Sequence, residues 1–263
     1  MPEGDTVWLT AHRLHQALSG RVLTTCDFRV PALATVDLRG RSVTEVLPRG
    51  KHILARLDDD RTVHSHLKMD GSWYISRARG RLPRRHPAHL IRVLLGNAEW
   101  LATGYRIHDL RVVARADEAM LVGHLGPDLL GPDWDAARAV DNLRRVPDLA
   151  IGEALLDQRN LAGIGNLYKS EVLFVERVHP WRPVADIAEL HRLVSTAHRL
   201  MRANRDHPEQ STTGFTRRGQ AHWVYERTGE ACLRCRTRIE SAEQGTPPRT
   251  RISYWCPSCQ PSG

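Results

Sequence analysis

Four of the five cysteines fall in two C-x-x-C pairs, Cys232 with Cys235 and Cys256 with Cys259, with twenty residues between the pairs. Each pair sets two thiolates on one tight turn, and two such turns on a hairpin complete a tetrahedron with no open position for a reacting water. The chemistry this spacing fits is a structural zinc ion. The alternative, two disulfides, needs an oxidising compartment, and the opening residues MPEGDT lack the basic and apolar run of a secretory leader. Cys26 stands alone in an apolar, strand-like segment and reads as a buried hydrophobe.

A second feature is the turn AGIGN, Ala162 to Asn166, which opens a helical run. Two glycines separated by one residue let the backbone approach a ligand closely, and the helix that follows begins with free N–H groups. That geometry suits a phosphate, with Asn166 adding a side-chain donor; a plain link between two helices has the same pattern. Pro2 and Glu3, taken alone, are ordinary helix-opening residues, because proline tolerates the first turn and glutamate favours the positive end of the dipole. Lys51, in PRGKHIL, sits where a strand begins and taken alone reads as an exposed ammonium.

The elements that must position these residues follow from periodicity. At 263 residues the chain is long for one core and short for three, so two main domains and a small stapled module are expected. From Glu3 to Leu18, apolar residues at Val7, Ala11, Leu14 and Leu18 mark one helical face, and Gly20 follows as a stop. Seven or eight short β-branched runs come next, VLTTCDF, SVTEVL, HILARL, TVHSHLKM, SWYIS, HLIRVLL and LRVVAR, which imply a sandwich or barrel. GHLGPDLLGPDW, from Gly123 to Trp134, reads as a linker. Helical runs follow: DAARAVDNLRRV, IGEALLDQ, LYKSEVLFVERV and a longer one from about Asp186 to His207, with Asp186 and Glu189 resembling a capping pair. Short strands surround the cysteines from Ala221 onward. The expected boundaries are 1–122, a linker 123–134, 135–220 and 221–263.

Composition narrows the partner. Lys plus Arg number 38 against 30 Asp plus Glu, a net charge of +8, and no apolar run approaches the roughly 18 residues of a membrane span. A polyanion is the expected partner and a membrane is not. Between Gly71 and Ala98 stand Arg77, Arg79, Arg81, Arg84, Arg85 and Arg92 with no acidic residue, either a nucleic-acid face or a solvated loop.

The start MPEGDTVW, the segment LLDQRNLAGIGNLYKSEVLF and the end RISYWCPSCQ, widely separated and in family order, resemble the formamidopyrimidine-DNA glycosylase and endonuclease VIII family of base-excision repair enzymes. The resemblance spans essentially the whole chain. It implies an α+β multidomain fold: an N-terminal β-sandwich with a leading helix, a helix-two-turns-helix domain and a C-terminal hairpin zinc finger. It also implies that Pro2, freed by removal of Met1, is a secondary-amine nucleophile, that Glu3 is the general acid/base, and that Lys51 lies near the catalytic pocket. Arg251, five residues before Cys256, matches an arginine that grips DNA phosphates. Met69 stands at the position of a void-filling residue, although Val63, Ser65, Leu67 and Met69 alternate and a core role fits as well. Arg159 lies near a basic family position and reads either as a phosphate contact or as a surface charge.

The DPRRFG-like segment of the formamidopyrimidine branch is absent, GYRIHDLRVV standing in its place. The connection from Thr213 to Trp223 is short for the loop that caps oxidised purines there. Asp70 stands where many endonuclease VIII relatives carry an aromatic, so the intercalating set departs from that pattern too. The expectation is a bacterial, cytoplasmic, monomeric glycosylase and abasic-site lyase acting on damaged duplex DNA, with oxidised pyrimidines preferred. Purine specificity, a lyase with little glycosylase activity, and a non-catalytic zinc-ribbon DNA binder are the alternatives.

Overall fold

The computed structural model describes residues 2–79, 87–217, 219–248 and 250–262. Contacts divide the chain into two compact units, one of Pro2 with Thr6–His124, the other of Glu3–Asp5 with everything from Leu125 onward. No helix among the described residues is long and apolar enough to cross a membrane.

The first unit contains most of α1 (Gly4–Leu18), whose buried face is the stripe Val7, Ala11, Leu14 and Leu18. Gly20, at φ 72°, turns the chain out of the helix in the left-handed region that glycine enters without penalty. Among the described residues nine strands follow: β1 (Arg21–Val22), β2 (Thr25–Phe28), β3 (Ser42–Arg49), β4 (His52–Leu57), β5 (Arg61–His66), β6 (Ser72–Arg77), β7 (Ile91–Gly96), β8 (Trp100–Tyr105) and β9 (Asp109–Ala114). They form a five-stranded sheet in the order β1-β3-β4-β5-β9 and a four-stranded sheet in the order β2-β7-β8-β6. Alternation decides which face is inside. Ile53, Ala55 and Leu57 of β4, with Val93 and Leu95 of β7, point into one core together with the apolar face of α1.

WLATGY, now β8, was not among the expected strands, because alanine and glycine replace the β-branched residues that signal one. Gly104 explains the choice: a Cβ there would lie 2.6 Å from Val93 Cγ1 and 2.7 Å from Ile107 Cδ1. Cys26 is half-buried rather than fully buried, and burial raises its thiol pKa. After β9, the short α2 (Glu118–Val122) is tied down by Glu118, which accepts from Arg56 Nη2 at 2.6 Å and Thr62 Oγ1 at 2.6 Å.

The second unit packs α3 (Ala136–Arg144), α4 (Ile151–Ala154), α5 (Asn166–Val175) and α6 (Leu190–Asn204) around Leu143, Leu155, Tyr168, Val172, Val194 and Met201. It ends in a hairpin of β10 (Glu240–Gln244) and β11 (Arg251–Trp255). The capping pair expected at Asp186 and Glu189 does not form. Asp186 closes a single 3-10 turn, Ile187 is extended at φ −94°, ψ 100° with its side chain in the core, and Glu189 makes no side-chain cap. The burial of Val184 and Ile187 overrides the local capping preference. Residues 125–129, within the stretch read as a linker, are buried, and Leu129 N donates to Ala162 O at 3.1 Å.

On the sheet face opposite the core of the first unit, His52 pairs with His66 across β4 and β5, and Asp109 stands opposite His66 on β9. His64 lies two residues along, its Nε2 2.8 Å from His52 Nδ1. Burial, with neighbouring cationic groups adding to it, lowers His52 to about 3 and His66 to about 4, and lowers His64 as well. The folded chain therefore refuses protons that the unfolded chain accepts below about pH 6.5, so stability falls with acidification from there toward about 4. We expect the urea midpoint to drop between about pH 7 and about pH 5, and to drop less in His52→Gln; a flat wild-type profile would exclude the cluster as its source.

Candidate functional site

The N-terminus of α5 is the centre of the second unit. Gly163, at φ 100°, makes the left-handed turn that a side chain resists. Gly165 is extended and its requirement is space: a Cβ would lie 2.5 Å from Glu3 Cδ. The Glu3 carboxylate fills that space, accepting from Gly165 N at 2.6 Å, Leu167 N at 2.7 Å and, at a longer 3.4 Å, Tyr168 N. Glu3 is fully buried. Gly4 N adds a bond to Gly163 O at 2.9 Å. The donors that the sequence reserves for a phosphate are thus occupied by a carboxylate from the chain's own start. Orphan N–H groups at a helix N-terminus take the nearest anion, and nothing local in sequence places Glu3, 162 residues away from Gly165, beside them.

Asn166, 7 % exposed, donates Nδ2 to Ile252 O at 2.8 Å and so braces the hairpin, while its buried Oδ1 accepts no hydrogen bond among the described residues. Lys169 of the same helix is fully buried and donates Nζ to Ser253 Oγ at 2.6 Å, and that hydroxyl donates to Gln244 Oε1 at 2.6 Å. Burial pulls the Lys169 ammonium down to about 7. Two residues of α5 therefore hold positions 252 and 253, and Arg251, at the head of β11, is left exposed. Glu171 completes the helix by accepting backbone N–H bonds from Trp223 at 2.7 Å, Val224 at 2.8 Å and Tyr225 at 2.9 Å, together with the Thr212 hydroxyl. Sequence reading missed Lys169 and Glu171. The signal was present in LYKSEVLF, where charged residues interrupt a run too apolar to be a surface.

The four cysteine sulfurs lie within 4.8 Å of one another, with Cys235 and Cys256 Sγ 3.4 Å apart and Cys232 and Cys259 Sγ 4.0 Å apart. Tetrahedral thiolates around one zinc stand about 3.8 Å apart, given metal–sulfur bonds of about 2.3 Å, whereas a disulfide needs about 2.05 Å. The set fits one metal ion. Gln260 supports it, accepting from Cys256 N at 3.0 Å and donating to Val178 O at 2.7 Å.

In the first unit, Lys51 is half-buried in the two-residue turn between β3 and β4. Met69 is 63 % exposed, beyond the end of β5, while Val63, Ser65 and Leu67 are buried. This corrects the core alternative for Met69: the alternation runs on to Leu67, and Lys68, at φ 53°, then turns the chain away before Met69. Asp70 faces Arg106 at 3.5 Å. Arg77 lies over the Trp100 ring at 4.1 Å. Arg159, back in the second unit, is exposed and closes on Asp157 at 2.5 Å, joining none of the contacts at α5. The expectations on Met1, Arg81, Arg84, Arg85 and Arg218 of the GFTRRGQAH connection lie outside the described residues.

A β-sandwich, a helical domain entered through a glycine turn and a four-cysteine hairpin define a recognisable class. Residues 1–116 match the model of the formamidopyrimidine-DNA glycosylase N-terminal domain, and residues 125–214 that of the formamidopyrimidine-DNA glycosylase H2TH domain. A protein of Streptomyces coelicolor named probable endonuclease 8 2 is 57 % identical over 262 residues, covering 99 % of this chain and 94 % of its own length. The DNA-(apurinic or apyrimidinic site) lyase Nei2 of Mycolicibacterium smegmatis is 45 % identical, with 99 % of each chain covered. Among solved structures, the Lactococcus lactis formamidopyrimidine-DNA glycosylase, non-covalently bound to DNA containing an AP site, has the same fold, with a TM-score of 0.79 at 21 % identity over 99 % of this chain and 100 % of that one. The chain belongs to the formamidopyrimidine-DNA glycosylase and endonuclease VIII family, on its endonuclease VIII branch.

Gly165→Ala tests the geometry at Glu3. The added methyl must displace the carboxylate by about 1 Å, a shift worth on the order of 100-fold in a positioned reaction. We expect cleavage of abasic-site DNA to fall by about that factor while the circular dichroism spectrum is retained; a normal rate in the Gly165→Ala variant would remove Glu3 from the chemistry.

Proposed function

We propose that this protein is a bifunctional DNA glycosylase and abasic-site lyase that excises oxidised bases, pyrimidines foremost, through a covalent link between Pro2 and deoxyribose. Its coarser description, a DNA glycosylase and abasic-site lyase of DNA repair, is the activity of the family to which the chain belongs. The observation that carries the finer reading is the seat of Glu3 on the α5 N-terminus, which fixes the residue covalently joined to Pro2.

With Met1 removed, Pro2 carries a secondary amine. Its nitrogen attacks C1′ as the glycosidic bond breaks, the base leaving with the electron pair and taking up a proton, and the product is an iminium cation. A secondary amine reaches that cation after losing its single proton. Glu3 is the general acid and base, protonating the ring oxygen as the sugar opens. Loss of a C2′ proton then expels the 3′ phosphate, and the following elimination expels the 5′ phosphate, leaving a gap with phosphate ends. Lys51 supplies a cation for a flanking phosphate.

Met69, exposed and unbranched, is suited to fill the space left by an extruded nucleotide. Arg251, braced through Ile252 and Ser253, grips the phosphate backbone, and Asn166 serves it through Ile252. Arg159 remains available to phosphate only by exchanging its bond to Asp157. Zinc is the metal whose coordination the four thiolates match, and it holds the hairpin that carries Arg251. The absent DPRRFG-like segment and the short connection after Thr213 support the pyrimidine preference. The partner is damaged duplex DNA, and a monomer suffices.

Borohydride trapping on duplexes carrying an abasic site, thymine glycol or 8-oxoguanine tests the reading. We expect an adduct whose yield is greater on thymine glycol than on 8-oxoguanine and which disappears when an uncleaved tag blocks the N-terminus; DNA binding with no covalent band would exclude the Pro2 link. Arg251→Ala is expected to weaken binding to all sequences and to reduce the slope of log affinity against log salt by about 1. An unchanged slope would take Arg251 off the phosphates.

A further inference from the structure

Two residues beyond Glu3 stands a second buried carboxylate that the reaction does not use. Asp5 is 2 % exposed. Its Oδ2 accepts the Tyr168 hydroxyl at 2.7 Å, and Gln210 Nε2 donates to Oδ1 and Oδ2 at 2.9 Å each. Tyr168 is fully buried, and burial beside Asp5 pushes its phenol far above the ordinary tyrosine range, so the hydroxyl stays a donor. The next residue after Gln210 is also fixed, because Asn204 donates Nδ2 to Ser211 O at 2.9 Å and accepts from Ser211 N at 2.7 Å.

Removing a carboxylate from water costs several kcal/mol, and an apolar side chain filling the same space would serve stability as well or better. Hydrogen bonds to a charged acceptor offset that cost only while their geometry is kept. What the network contributes is therefore a fixed geometry, and the segment it fixes is short. Glu3 is held by the α5 N–H groups, Gly4 by Gly163 O, and Asp5 by Tyr168 and Gln210. Gly4 is also wedged in place, since a Cβ there would lie 2.9 Å from Met201 Sδ. Three consecutive residues are each tied to a different partner. The residue joined to their front is Pro2.

We propose that Asp5, acting through Tyr168 and Gln210, is a positioning residue for the Pro2 amine, holding the first turn of the chain so that the nitrogen is presented to deoxyribose C1′ in one orientation. This rests on the reading of Pro2 as the nucleophile. Asp5 touches neither sugar nor base, and its effect falls on the covalent step, where small displacements are multiplied, rather than on the grip on DNA.

The test uses the full chain with its metal. Asp5→Asn keeps the volume but sets an amide donor against the Gln210 donor, and Gln210→Met deletes the donor alone. Single-turnover borohydride trapping at saturating protein on an abasic-site duplex reads the covalent step, and affinity for a tetrahydrofuran-containing duplex reads binding. We expect trapping to slow by about tenfold or more in Asp5→Asn and by about threefold in Gln210→Met, with affinity changed less than about twofold and the double variant no slower than Asp5→Asn. Wild-type trapping rates in both variants overturn the proposal, as does a loss of affinity that matches the loss of rate, which would make Asp5 merely structural. Should Asp5→Asn not fold, Gln210→Met decides by itself. Failure of the Pro2 reading has a separate signature: protein carrying an uncleaved N-terminal tag then forms the same adduct as the untagged protein.

Discussion

The organisation of the second unit depends on how the unpaired N–H groups at the start of α5 are satisfied. A helix N-terminus inside a protein cannot leave them bare, and here the Glu3 carboxylate takes the N–H groups of Gly165, Leu167 and Tyr168. The bond works in both directions. It completes the helix, and it fixes the residue that precedes α1. Gly163 and Gly165 follow from that requirement, one by conformation and the other by space.

From the same helix, the side chains of Asn166, Lys169 and Glu171 reach outward to two other segments of the chain. They bind Ile252 O, Ser253 Oγ and the N–H groups of residues 223–225, so the hairpin and the segment before it are positioned by one rigid element. The four-cysteine cluster needs only to hold its own turns; the orientation of β11 is shared with α5. Burying Lys169 is unfavourable in itself, and its hydrogen bond to Ser253 is what makes that burial tolerable.

The first unit solves a different problem. It builds a two-sheet core by alternation, and places polar groups on the opposite face of one sheet, where His52, His64 and His66 are held neutral by burial. Lys51, one residue before His52, sits on the turn that joins β3 to β4. Met69 follows Lys68, whose positive φ of 53° turns the chain away, and so its side chain is free of the core that claims Val63 and Leu67.

Most of the helices and strands could be read from local patterns among the residues. The 3.6-residue period of the first helix, the β-branched runs, the cysteine spacing and the AGIGN turn are local signals, and each depends on interactions between near neighbours in the chain. Tertiary structure decided what no local pattern can carry. It placed Glu3 at the helix that AGIGN opens, buried Asp5 and Lys169, and made a strand of WLATGY because Gly104 packs against Val93 and Ile107. It also cancelled the capping pair at Asp186, since core burial of Val184 and Ile187 outweighs a cap worth about 1 kcal/mol. Contacts between residues far apart in the chain are set by packing and by the need to satisfy every buried polar group, and both belong to the folded whole.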